Sequence, residues 1–160
     1  MSRVLIIDDE KSIRVTLKEF LRQEGIEADT AADADEAMEK IKTVAYDVVV
    51  TDIIMPKISG MQILDWVRKK NIHTQVIIMT GEPTVDTAVL AVQKGATDYL
   101  SKPIRRQDFI KTLKNALDLK KMADDKLILE EENQRYQKNL EQIVDQRTMA
   151  LQKNMQGIIY

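Results

Sequence analysis

The chain of 160 residues contains no cysteine. Disulfide bonds, a thiolate nucleophile and cysteine-based metal sites are therefore excluded, and a reducing cytoplasm is the simplest compartment for such a chain. No apolar run approaches the roughly 20 residues of a membrane-spanning helix, and the first residues are too few and too acidic for a signal peptide. We therefore expect a cytoplasmic protein without a membrane segment.

Neither sign of charge dominates the chain. The formal net charge is -2 at pH 7, with 13 basic and 17 acidic residues in 1–104 and 11 basic and 9 acidic residues in 105–160. A nucleic-acid-binding domain would carry a strongly basic surface. We therefore expect no direct binding to nucleic acid.

Glycine and proline are scarce, and neither occurs from Ile104 to Gln156. Such a stretch can be helical throughout, and about fifty residues at a rise of 1.5 Å would extend about 80 Å, which exceeds what one small domain covers. We expect residues 1–121 to form one domain that includes the first part of this helix. Residues 122–160 are expected to form a helical coiled-coil linker, with Asp124 and Asp125 as the place where the helix is interrupted.

The coiled-coil prediction rests on a heptad pattern in which several core positions are polar. A solvated helix that frays is the alternative interpretation. If the helices do pair, the chain is a homodimer. The d positions are Leu129, Tyr136, Ile143 and Ala150, and the a positions are Asn133, Leu140, Arg147 and Asn154.

Four short apolar runs in the first 103 residues each stop at polar residues. Runs of this length are typical of strands buried on both faces of a parallel sheet, and helical patterns separate them, so the sequence predicts an α/β fold. Ligands bind such sheets beyond the carboxyl ends of the strands. The runs and the residues after them are Val4–Ile7 before Asp8 and Asp9, Val48–Val50 before Thr51 and Asp52, Val76–Met79 before Thr80, and Ala96–Ser101 before Lys102 and Pro103.

The residues at these strand ends suit phosphoryl transfer. Asp52 is the candidate nucleophile, because carboxylates can form aspartyl-phosphate intermediates. Asp8 and Asp9 would repel Asp52 unless a cation joined them, and Mg²⁺ prefers such oxygen ligands. Thr80 could donate a hydrogen bond to a phosphoryl oxygen, and Lys102 could neutralise another. The sequence therefore predicts a phosphate and Mg²⁺ site.

The same residues, in this order and at this spacing, resemble the receiver domain of two-component response regulators over residues 1 to about 121. The resemblance implies a flavodoxin-like, five-stranded parallel sheet in the order 2-1-3-4-5 with helices on both faces, to which the long C-terminal helix predicted above is added. It also implies that a sensor histidine kinase is the partner and that its phosphohistidine supplies the phosphoryl group. The shared motif consists of Asp8-Asp9, Asp52, Met55-Pro56, Gly60, Thr80-Gly81 and Lys102-Pro103.

The resemblance also implies roles for individual residues. Asp9, Asp52 and the carbonyl of Ile54 would bind Mg²⁺ directly, and Asp8 would do so mainly through water. Asp52 would receive the phosphoryl group, so the chain would be a phosphoacceptor switch that assists its own phosphorylation and dephosphorylation, and not an enzyme with an external substrate.

Three further expectations follow from the resemblance. The peptide bond before Pro103 would be cis, and Thr80 and Tyr99 would form the pair of residues that changes conformation on phosphorylation. The segment from Leu140 to Thr148 resembles helices that connect sensory modules to downstream catalytic domains. A dimeric output domain beyond Tyr160 is therefore expected.

Two other classes of protein are the alternatives. An aspartate-nucleophile phosphohydrolase on a related α/β fold is the main alternative, but the residue two positions after Asp52 is Ile54, which supplies no general acid or base. A nucleotide-binding module is the other, but the chain has neither a Walker-type loop nor a Gly-x-Gly-x-x-Gly turn.

Overall fold

A computed structural model of the chain describes residues 2–71 and 73–158, with side chains up to residue 155. The chain divides into two units, residues 1–122 and 123–160. Strands and helices alternate along it. The strands are β1 (Val4–Ile7), β2 (Ala28–Ala31), β3 (Val48–Asp52), β4 (Gln75–Thr80) and β5 (Asp98–Ser101), and the helices are α1 (Lys11–Gln23), α2 (Ala34–Thr43), α3 (Gly60–Lys70), α4 (Val85–Gln93) and α5 (Arg106–Ile158).

The five strands form one parallel sheet in the order β2-β1-β3-β4-β5. This order confirms the predicted flavodoxin-like fold with a long C-terminal helix. β1 and β3 are buried along their whole length, because each has a strand on both sides and helices over both faces. Their continuous runs of valine, leucine and isoleucine suit that environment.

The sheet separates two hydrophobic clusters. Alternate residues of a strand point to opposite faces, so Leu5 and Ile7 pack against residues of α2 and α3, including Leu64. Val4 and Ile6 pack on the other face against residues of α1 and α5, including Phe109. Burying side chains of this size is worth about 1.5 to 3 kcal/mol each, which fixes the strands and therefore the residues at their ends.

Side-chain caps begin three of the helices. The Asp33 carboxylate accepts a hydrogen bond from the Glu36 backbone N–H at 2.8 Å at the start of α2. Ser59 forms a reciprocal capping box with Gln62 at the start of α3, and α4 begins with the box described below. These caps satisfy backbone N–H groups that have no partner within their helix and set where each helix leaves the sheet.

Residues of α5 from Ala123 onward belong to the second unit and are helical up to Ile158. The predicted interruption at Asp124 and Asp125 is wrong, because an aspartate costs a helix at most about 0.7 kcal/mol relative to alanine and neither glycine nor proline is nearby. Ile159 and Tyr160, with which the predicted linker ends, lie outside the described residues. Within residues 2–71 and 73–158, every helix is too short or too polar to span a lipid bilayer.

Candidate functional site

Asp52 is the last residue of β3, the central strand of the sheet. It is buried, and its Oδ1 accepts a hydrogen bond from the Ile54 backbone N–H at 3.3 Å. The Ile53 N–H donates to the Met79 carbonyl oxygen at 2.9 Å, which holds the start of the following loop against β4. The position of the Asp52 carboxylate therefore depends on rigid elements on both sides.

Lys102 joins two of the predicted site residues. Its Nζ donates to Asp8 Oδ2 at 2.8 Å and to Asp52 Oδ2 at 3.0 Å. The backbone N–H of Lys102 donates to the Thr80 carbonyl oxygen at 2.7 Å, and the peptide bond between Lys102 and Pro103 is cis. Residues separated by 94 and 50 positions thus meet at the carboxyl edge of the sheet.

Burial and neighbouring charges shift the pKa values of Asp52 and Lys102 in opposite directions. Burial raises the pKa of Asp52, and hydrogen bonding to Lys102 offsets this only in part. Burial disfavours the Lys102 ammonium, but Asp8 and Asp52 together outweigh that effect and raise the pKa of Lys102. A cation added beside Asp52 would therefore favour its ionised, nucleophilic form.

Three consecutive acidic residues follow β1. Asp8, Asp9 and Glu10 can each place one carboxylate oxygen within 4.8 Å of the others. Asp8 is buried, whereas Asp9 and Glu10 are exposed, and the Glu10 backbone N–H donates to Asp8 Oδ1 at 2.9 Å. An all-oxygen cluster with exposed members fits a small hard cation that retains several waters, as Mg²⁺ does. Glu10 was not among the predicted ligands.

Gly60, the first residue of α3, lies against the backbone of Asp52 and Ile53 at the end of β3. Its N–H donates to the Ile53 carbonyl oxygen at 2.8 Å. A Cβ atom at this position would lie 2.1 Å from the Asp52 carbonyl oxygen, so only glycine fits. In the loop between β3 and α3, Lys57 adopts a φ of 72°, a conformation uncommon for residues other than glycine.

Thr80 and Tyr99 lie on neighbouring strands. Thr80 ends β4 and is buried, and its Oγ1 accepts a hydrogen bond from the Glu82 backbone N–H at 3.0 Å. Tyr99 is half-buried in β5 and pairs in register with Ile78. The Tyr99 hydroxyl lies 2.7 Å from Thr87 Oγ1 in α4. Sequence reasoning missed Thr87, whose only signal was the capping pattern that it forms with Thr84.

The carboxyl edge of the sheet thus collects a buried carboxylate, an ammonium group bound to it, an acidic cluster and a buried hydroxyl. Residues 4–114 match the family model described as the response regulator receiver domain. The chain belongs to this family of two-component signalling proteins.

The chain is also similar to part of several curated proteins. The transcriptional regulatory protein DltR of Streptococcus agalactiae serotype III (strain NEM316) is 35% identical over 108 residues, which cover 68% of this chain and 48% of DltR. The chain spans about half, or less, of the length of the curated relatives it matches.

Solved structures give the same result for the fold. A response regulator receiver domain protein from Clostridium thermocellum is 39% identical with a TM-score of 0.73, and the match covers 77% of this chain and 99% of that one. The solution structure of the beryllofluoride-activated NtrC4 receiver domain dimer is 40% identical with a TM-score of 0.72, covering 75% and 99%.

Proposed function

We propose that this receiver domain accepts a phosphoryl group on Asp52 from the phosphohistidine of a sensor histidine kinase. The observation that carries the proposal is the contact of the buried Asp52 carboxylate with Lys102 Nζ at 3.0 Å, beside the acidic cluster. In the transfer, an Asp52 oxygen forms a bond to phosphorus while the bond from phosphorus to the histidine nitrogen breaks. The imidazole leaves with that electron pair.

Asp8, Asp9, Asp52 and the carbonyl of Ile54 are proposed to hold Mg²⁺. The ion would supply positive charge that offsets the repulsion between the carboxylates and the incoming phosphoryl group. Lys102, already at the carboxylate, would neutralise one phosphoryl oxygen as a point charge. The Thr80 hydroxyl, at the end of the next strand, would donate a hydrogen bond to another.

The chain is proposed to act as a switch and not as an enzyme with an external substrate. A new dianion at Asp52 would draw the Thr80 hydroxyl toward it, and Tyr99 would change position as the loop before α4 moves. Support comes from two observations: Thr80 Oγ1 accepts a hydrogen bond from the backbone N–H of Glu82, two residues further along the loop, and Tyr99 lies on the adjoining strand.

A phosphohydrolase with an aspartate nucleophile is the alternative. Ile54, two residues beyond Asp52, has an apolar side chain that is 55% exposed, so it offers no group to orient an attacking water. Incubation with labelled acetyl phosphate and Mg²⁺ separates the two functions. We expect the label to accumulate to about one acyl phosphate per chain. Continuous release of phosphate without accumulation would instead identify a hydrolase.

Residues 1–121 are proposed to be the receiver domain and residues 122–160 a coiled-coil linker that makes the chain a homodimer and leads to an output domain. Support comes from apolar side chains in the second unit: Leu129 is 58% exposed, Tyr136 66%, Leu140 43% and Ile143 45%. Burying each against a second helix is worth roughly 1.5 to 3 kcal/mol. Asn133 at an a position fits a parallel two-stranded coil, where such residues fix the register.

Sedimentation tests this pairing. The full chain is expected to be a dimer, and residues 1–121 a monomer or a weaker dimer. Leu140→Asp should behave like the truncation, because it places a carboxylate at a core position. Gln142→Asp adds the same charge at an outward c position and should leave the dimer intact. A monomeric full chain at tens of micromolar, a typical range for weak association, would show that the segment is only a tether.

A further inference from the structure

A cluster of three hydroxyl groups lies at the start of α4. Thr84 Oγ1 accepts a hydrogen bond from the Thr87 N–H at 3.1 Å, and the Thr84 N–H donates to Thr87 Oγ1 at 3.3 Å. This reciprocal box satisfies backbone N–H groups of the first turn. Thr87 Oγ1 also lies 2.7 Å from the Tyr99 hydroxyl of β5. Thr87 Oγ1 therefore takes part both in the cap of α4 and in a hydrogen bond with Tyr99.

Thr87 Oγ1 has three oxygen partners. It lies 3.1 Å from the Thr84 carbonyl oxygen, to which it can donate, 2.9 Å from Thr84 Oγ1 and 2.7 Å from the Tyr99 hydroxyl. In the two contacts between hydroxyl groups, either oxygen can donate. Replacing Tyr99 with phenylalanine would remove the hydrogen bond to Thr87 and leave both residues of the Thr84–Thr87 box unchanged.

The same short loop connects this cluster to the phosphoryl site. Thr80 ends β4, α4 is capped at Thr84, and hydroxyl groups hold the loop at both ends. At the first end, Thr80 Oγ1 accepts from the Glu82 N–H at 3.0 Å. Movement of Thr80 toward a phosphoryl group would stretch that bond and displace the residues that carry the cap.

We propose that Thr87 is a positioning residue that ties Tyr99 to the first turn of α4 and thereby stabilises the arrangement in which Thr80 Oγ1 is held by Glu82. The inference rests on the proposed function, because it assigns Thr87 a part in the response to phosphorylation. Loss of the Thr87 hydroxyl removes a bond made in this arrangement. It therefore shifts the population toward the phosphoryl-bound form.

Amide hydrogen exchange tests the tie without any ligand. In Tyr99→Phe, the Thr87 and Thr84 amides should exchange roughly two- to tenfold faster, the range expected for one lost hydrogen bond. Tyr46→Phe is the matched control, because the Tyr46 hydroxyl donates to Asp29 at 2.6 Å in a different part of the domain. Unchanged exchange at both amides in Tyr99→Phe would overturn the proposal.

Binding of beryllofluoride with Mg²⁺, a phosphoryl analogue, tests the consequence. Thr87→Val should bind it roughly two- to tenfold more tightly than the parent, and Thr87→Ser, which keeps the hydroxyl, should match the parent. In a Tyr99→Phe background, Thr87→Val should add no further gain. The proposed role of Thr87 would be refuted if Thr87→Val bound beryllofluoride no more tightly than the parent. It would also be refuted if Thr87→Val increased the affinity as much in the Tyr99→Phe background as in the parent. If the parent itself failed to bind beryllofluoride, the proposed function would be wrong. The hydrogen-exchange result would still show whether the Thr87–Tyr99 hydrogen bond stabilises the start of α4.

Discussion

Asp52→Asn is expected to reduce Mg²⁺-dependent incorporation of phosphoryl groups from labelled acetyl phosphate to background. Asparagine has nearly the same volume as aspartate, but its amide does not act as a nucleophile toward phosphorus. Asp52 is buried at the end of the central strand and forms an ion pair with Lys102, and Asp8, the other carboxylate that Lys102 contacts, directly follows the adjacent strand β1. Incorporation per chain, measured at saturating donor, gives the result.

Two further variants test whether the loss of labelling in Asp52→Asn is specific to the phosphoryl site. Asp65 of α3 lies away from the carboxyl edge of the sheet, and its Oδ2 is 2.8 Å from Lys94 Nζ. Asp65→Asn should therefore be labelled as strongly as the parent. Asp9→Asn should lower labelling even at Mg²⁺ concentrations that saturate the parent, because it removes a proposed metal ligand while keeping the acceptor. Label that persists in Asp52→Asn and maps to another residue would disprove the assignment of Asp52.

The sequence predicted that Asp8, Asp52 and Lys102 lie at one edge of the sheet, because each follows a short apolar run that can be recognised without knowledge of distant contacts. The run Val4–Ile7 is apolar at every position and stops at Asp8, and the apolar run Val48–Val50 is followed by Thr51 and Asp52. Such runs indicate strands buried on both faces, whose ends lie at one edge of the sheet. Lys102 was expected at the same edge for the same reason. The hydrogen bonds that join it to Asp8 and Asp52 required the structure.

Other features depend on contacts that no periodicity encodes. The bond between Thr87 and Tyr99 joins a helix cap to an edge strand, and neither residue alone indicates the other. Lys57 has a positive φ in a tight turn in which the Ile58 N–H donates to the Pro56 carbonyl oxygen at 2.9 Å, whereas a sequence would assign such a conformation to glycine. Asp124 and Asp125 do not break α5, because weak helix formers alone rarely end a helix where glycine and proline are absent.

Gly60→Ala is expected to destabilise the domain by about 3 kcal/mol, near the upper end for overpacking, and to slow phosphorylation of Asp52. The added Cβ would lie 2.1 Å from the Asp52 carbonyl oxygen and 2.8 Å from its carbonyl carbon. Both atoms belong to the backbone of the central strand, which neighbours on both sides hold in place. The gain of at most ~1 kcal/mol from replacing glycine with alanine in a helix is smaller than this cost.

Urea unfolding and the initial rate of labelling measure the two effects. Gly81→Ala is the matched control, since Gly81 follows Thr80 at the same edge of the sheet and nothing lies within 4 Å of the Cβ it would acquire. Its free energy of unfolding should stay within about 0.5 kcal/mol of the parent, as for surface substitutions in general. If Gly60→Ala were as stable as Gly81→Ala and were labelled at the parent rate, the approach of α3 to the Asp52 backbone would not constrain the acceptor. If Gly60→Ala alone lowered both the free energy of unfolding and the rate of labelling, Gly60 would be shown to keep the Asp52 backbone in the position where the carboxylate contacts Lys102.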